Sequence, residues 1–103
     1  MRGMQDMLRQ AQMMQKKMAS LQEELKTREV EGAAGGGMVV VRATGGQQVL
    51  SVTIDKSVVE AGDVEMLQDL VLAAVTEALK KAKVMVEEEM GKITGGFKIP
   101  GLF

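Results

Sequence analysis

The chain has 103 residues with 46% apolar and 26% charged content, which bounds it to one ordinary globular domain and excludes a tail, a fibre or a low-complexity segment. A formal charge of −1 excludes a strongly basic, histone-like binder. The absence of cysteine and histidine removes disulfides, thiol chemistry and imidazole catalysis. No stretch of about 18 apolar residues and no signal-peptide pattern occurs, so a membrane span is not expected and the cytoplasm is the expected location.

Met4, Met7, Ala11, Met14, Met18, Leu21 and Leu25 follow one another at alternating steps of three and four, the pattern of a coiled-coil seam. They predict a helix over about residues 4–28. A sheet is expected over about 29–55, beginning at Glu29 and interrupted by a loop at Gly35 to Gly37. Met38 to Thr44 and Gln47 to Ile54 are rich in β-branched residues and flank Gly45-Gly46, the two-residue signal of a tight hairpin with positive φ. With that turn, Val41 faces Leu50 and Val39 faces Val52. One face then collects Val39, Val41, Leu50, Val52 and Ile54, and the reverse face keeps Val40 and Val49 among polar residues. These valines, Leu50 and Ile54 are the candidates for core or dimer packing.

Asp63 reads as a helix N-cap, and Val64, Leu67, Val71, Ala74 and Ala78 repeat at helical spacing, with Ala82, Val86 and Met90 extending the stripe. A second helix is therefore expected over about 64–90. Gly91, Gly95, Gly96, Pro100 and Gly101 mark residues 91–103 as a flexible tail, with Phe97, Ile99, Leu102 and Phe103 available to dock. The fold class is α+β, an α-β-β-β-α subunit with a small antiparallel sheet. Helix 1, at about 37 Å, overhangs strands of about 23 Å, so the helices are expected to pair and project as arms. The only aromatics are Phe97 and Phe103, so the core is thin and a homodimer is the natural way to complete it.

Chemistry is hard to place. Hydroxyls at Ser20, Ser51, Ser57 and the threonines have no recognisable base beside them, and the glycine-rich run 32–37 leads into a strand where a phosphate loop needs a helix. Consecutive Glu87, Glu88 and Glu89 point in different directions on a helix and do not converge on one cation. The methionines read as core and seam filler in place of aromatics, and not as a copper(I) site. No enzyme, metal or cofactor is expected.

Charge is unevenly placed. Residues 1–28 carry six Lys/Arg against three Asp/Glu, whereas residues 63–90 carry three against seven. Arg2, Arg9 and Lys16 fall seven apart on the face opposite the seam, with Lys17 beside them. A spacing of about 10 Å per heptad suits successive phosphates along a groove. Lys80, Lys81 and Lys83 form a second basic cluster on an otherwise acidic helix.

The run Met4-Gln-Asp-Met-Leu-Arg-Gln-Ala-Gln-Met-Met-Gln-Lys-Lys-Met18 resembles the opening helix of the YbaB/EbfC family of nucleoid-associated proteins. Val39 to Thr44, Val52-Thr-Ile-Asp55, the run from Met66 to Leu79 and Gly96-Phe-Lys-Ile-Pro-Gly101 extend that resemblance in order over nearly the whole chain. It implies a tweezer-shaped homodimer with projecting helices that binds double-stranded DNA, alters its conformation and acts on nucleoid organisation and gene expression. The family's suspected contact region maps onto Arg2, Arg9, Lys16 and Lys17, and onto Lys80, Lys81 and Lys83. The alternative is an interaction scaffold for recombination or replication proteins, with incidental DNA contact.

Overall fold

The computed structural model describes the backbone of residues 2–93 and the side chains of residues 3–93. Helix α1 spans Arg2–Thr27, strands β1, β2 and β3 span Glu29–Ala34, Val39–Thr44 and Val49–Ile54, a short helix α2 spans Lys56–Glu60, and helix α3 spans Val64–Ile93. The strands form one antiparallel sheet in the order β1-β2-β3. This is the expected α-β-β-β-α order with one short helix added. The molecule measures 73 × 21 × 17 Å. Phe97, Ile99, Leu102 and Phe103 lie outside the described residues, as does the side chain of Arg2.

The β1-β2 connection runs through Gly35, Gly36 and Gly37, all at positive φ between 64° and 95°, a conformation that a Cβ makes costly. The β2-β3 hairpin departs from the expected register. Val41 pairs with Val52 and Val39 with Ile54, and a bulge between Arg42 and Ala43 sets Arg42 against Ser51 and Ala43 against Val49. Leu50 is the extra residue of that bulge. The connection is a four-residue loop, Gly45 to Gln48, closed by Thr44 N–H donating to Gln48 O at 2.9 Å and Gln47 N–H donating to Thr44 O at 2.9 Å. Its positive-φ residue is Gln47, at 65°, and neither Gly45 nor Gly46 is.

The two glycines answer a different demand. Gly45 N–H donates to Arg28 O at 3.0 Å and Gly46 N–H to Lys26 O at 3.3 Å, so the hairpin loop satisfies carbonyls that the end of α1 would otherwise leave open. A Cβ on Gly45 would collide with the Leu25 carbonyl. The loop is glycine because a helix end lies on it.

The core is a helix laid on a sheet. Ala74 and Ala78 of α3 pack on Val39, Val41 and Ala43 of β2, all fully buried, with Val30, Ala34, Ile54, Leu70, Val71, Val75 and Leu79 around them. Small side chains bring the helix backbone close: a Cβ on Gly32 of β1 would meet the main chain of Ala74 and Ala78. Helix α3 therefore lies over β1 and β2 and leaves β3 largely uncovered. Val49, Leu50 and Val52 are 39–47% exposed, and Ile54 is half-buried. Of the six apolar residues expected in the core or a dimer contact, Val39 and Val41 are fully inside this subunit.

Asp55 and Ser57 build α2. The Asp55 carboxylate accepts from Ser57 N–H at 2.9 Å and Ser57 Oγ–H at 2.7 Å, capping a five-residue helix that buries Val58. Asp63 caps α3 as expected, its carboxylate accepting from Met66 N–H at 3.0 Å. That helix continues past Met90 through Gly91 to Ile93, which corrects the expected start of the tail at 91. Met90 is buried and Lys92 pairs with Glu89 at 3.0 Å, so packing and an i,i+3 ion pair span the glycine.

Candidate nucleic-acid interface

Helices α1 and α3 meet at the root of the arm, where Leu25 of α1 and Met90 of α3 are buried. An ion pair from Arg28 to Glu89, at 3.7 Å, crosses the same junction. From there the helices run together until the end of α3: Lys92 and Ile93 share an open groove of about 550 Å³ with Gln10, Met13, Met14 and Lys17. Among the described residues, pairing reaches as far as that groove. The whole stretch 3–17 of α1 is exposed, and its first dozen residues project about 18 Å past Ile93 at 1.5 Å per residue. The seam expected to close along the overhang closes only over its C-terminal half, because α3 is laid along the sheet and ends beside Met14.

The basic residues of α1 sit on this arm. Arg9 and Lys16 are exposed on its outer face, two helical turns and about 10 Å apart, and Lys17 lines the groove beside them. Arg2 is the first helical residue. Among the described residues, Arg9, Lys16 and Lys17 have no acidic partner at salt-bridge distance. The cations near the root are committed: Lys26 to Glu23 at 2.9 Å and Arg28 to Glu24 at 2.8 Å. Residues 3–22 hold Arg9, Lys16 and Lys17 against a single acid, Asp6. The arm is thus locally positive although the chain's net charge is −1.

The second basic cluster divides. Lys81 is tied down, donating to a Glu77 carboxylate oxygen at 3.0 Å and to Glu31 O at 3.1 Å, so it fastens α3 to β1. Lys80 is exposed, and Lys83 lines a groove at the root with Gln22, Gly45, Gln47, Val86, Glu87 and Met90. Lys83 and Arg9 lie on the order of 20 Å apart along the helix pair, counting 1.5 Å per residue from each to the groove at Ile93. Lys83 and Lys92, nine residues apart, point to opposite sides of α3 and line different grooves, so the cations are spread over two flanks of the helix pair and do not form one cluster. Lys92 is an addition that sequence reading missed. Placed in a tail by its neighbouring glycines, it is in fact helical and faces the same groove as Lys17.

Glu89 is held by Arg28 and Lys92, and no group of three or more acidic side chains able to hold a metal occurs among the described residues. No helix among them is long and apolar enough to cross a membrane.

A model of the YbaB/EbfC DNA-binding family matches residues 1–97. The chain belongs to that family. It is 57% identical to a nucleoid-associated protein of Acetivibrio thermocellus, over 95% of this chain and 88% of the other. It is 54% identical to one of Pelotomaculum thermopropionicum, over 98% and 96%. A crystal structure of an uncharacterized protein from Helicobacter pylori superposes with a TM-score of 0.59 at 28% identity, covering 82% of this chain and 94% of that one. The family designation is DNA binding and names no reaction.

Proposed function

We propose that this YbaB/EbfC protein is a nucleoid-associated, cytoplasmic DNA-binding homodimer whose projecting α1 arms contact double-stranded DNA through its phosphates. The carrying observation is the arm itself: Arg9, Lys16 and Lys17 stand on a solvent-exposed helix, free of acidic partners among the described residues, beyond the acidic body. Arg2 extends the stripe by one heptad, and Lys80 and Lys83 add cations on α3 nearer the root. Contacts of this kind position the protein without reading base edges, so binding is sequence-tolerant and strongly salt-dependent. Two such arms engaging one duplex would alter its path, and through it nucleoid organisation and gene expression.

The homodimer reading is supported by β3. An edge strand with Val49, Leu50 and Val52 exposed offers both unpaired backbone and apolar area, a combination that soluble proteins normally cover. A second copy supplies the cover and doubles the arms.

The test is a titration of labelled duplex DNA at several salt concentrations, comparing wild type with an Arg9→Ala, Lys16→Ala, Lys17→Ala variant. Each phosphate left without its cation should flatten the log-log salt slope by about 0.9, so the triple variant should bind more weakly with a slope smaller by roughly 3 per arm. Equal binding by both proteins would refute the stripe. Absence of binding would turn attention to a scaffold for recombination or replication proteins.

A further inference from the structure

The apolar seam of α1 runs its whole length, but α3 covers only the half nearest the sheet. Leu25 is buried and Met18 and Leu21 are half-buried, whereas Met4, Met7 and Leu8 are 60–71% exposed and Met13 and Met14 about half exposed. Four of these, Met4, Met7, Leu8 and Met14, fall on one face of the helix within eleven residues and form a contiguous patch, while Met13 lies toward the opposite face. The boundary between covered and uncovered halves is the groove where Ile93 and Lys92 lie beside Met13, Met14 and Lys17. From that point the sequence continues as Thr94-Gly-Gly-Phe-Lys-Ile-Pro-Gly-Leu-Phe103. This segment holds both aromatic residues of the chain, together with Ile99 and Leu102.

We propose that residues 97–103 dock along the uncovered seam of α1 in the same chain, setting Phe97, Ile99, Leu102 and Phe103 against Met14, Met7, Leu8 and Met4. Reach permits it: ten residues span up to about 33 Å extended, against about 15 Å of helix from Met14 back to Met4. Attachment at Ile93 starts the segment on its own arm at high effective concentration, which favours the same chain over a second copy. The chemistry is matched, because methionine adapts to irregular apolar surfaces and makes favourable sulfur–aromatic contacts. Arg9 and Lys16 lie on the opposite face of α1, so the docked segment leaves them open. The inference therefore goes beyond the DNA-binding reading and does not depend on it.

The chain contains neither tryptophan nor cysteine, so a single introduced residue of either kind reports alone. In the full-length Phe103→Trp protein, docking gives blue-shifted emission and several-fold weaker acrylamide quenching than in the same protein carrying Met4→Gln, Met7→Gln and Leu8→Gln. Circular dichroism verifies that both keep their helices. A red-shifted, freely quenched tryptophan, or a protected one that the three glutamines leave unchanged, overturns the proposal. Oxidation of a Met7→Cys, Leu102→Cys protein separates the occupants: a cross-link within one chain supports the proposal, while a disulfide-linked dimer or no cross-link refutes docking on the chain's own arm. DNA titration of the glutamine variant should retain the wild-type salt slope.

Discussion

Gly45 lies directly beneath the carbonyl of Leu25, so close that a methyl group at this position would occupy the carbonyl's space. The hairpin loop and the end of α1 therefore fix each other, and the direction in which the arm leaves the sheet depends on a residue with no side chain. Gly45→Ala should destabilise the fold by about 1–3 kcal/mol, as overpacking does where backbone must give way. Chemical denaturation of the two proteins checks this; equal midpoints would show that the junction yields without cost.

Lys81 and Lys83 should separate by readout. Lys81 is engaged with Glu77 and the Glu31 carbonyl, at an exposed site. Lys81→Ala should cost less than about 1 kcal/mol of stability and leave the DNA salt slope unchanged. Lys83→Ala should leave the unfolding midpoint alone and reduce the slope by about 0.9 for each phosphate that the lysine neutralises. The reverse outcome would move the DNA contact from Lys83 to Lys81.

Leu50→Lys combined with Val52→Lys should convert the proposed dimer into a folded monomer, seen as a fall in mass by sedimentation velocity. Both side chains are nearly half exposed in the single subunit, so each substitution should change the monomer's own stability by no more than about 0.5 kcal/mol. An unchanged mass would exclude the β3 face as the contact between copies.

Acid should loosen α2 through Asp55. The hydroxyl of Ser57, and then its amide, donates to this carboxylate and holds its pKa below the ordinary 3.8. A carboxylate with a depressed folded-state pKa stabilises the fold fully above its unfolded value, and that contribution is lost as pH falls through the folded value. Asp55→Asn keeps a capping oxygen but does not titrate. Its stability should therefore fall less steeply than wild type below about pH 4, as followed by helical circular dichroism from neutral pH downward.

Much of this architecture is legible from neighbours a few residues apart. The three-four spacing from Met4 to Leu25 specifies a long amphipathic helix, the β-branched runs specify strands, and Asp63 announces α3, because periodicity and capping are local interactions. The register of β2 on β3 was not legible. Gly45-Gly46 carries the signature of a two-residue turn, yet both glycines serve the carbonyls of Lys26 and Arg28, about twenty residues earlier, and the positive φ falls on Gln47. Nor could composition separate Lys81, held by β1, from its exposed neighbour Lys80, or show that Lys92 is helical and faces Lys17. By itself, then, the sequence determined which segments are helix and strand, and where the positive charge gathers. Tertiary structure alone decided which of those charges stay unpaired and which apolar faces stay open. The reason is geometric: a stripe of alanines on α3 lies against Gly32 and β2, and that one placement leaves β3 uncovered and ends α3 beside Met14, with the rest of α1 standing clear.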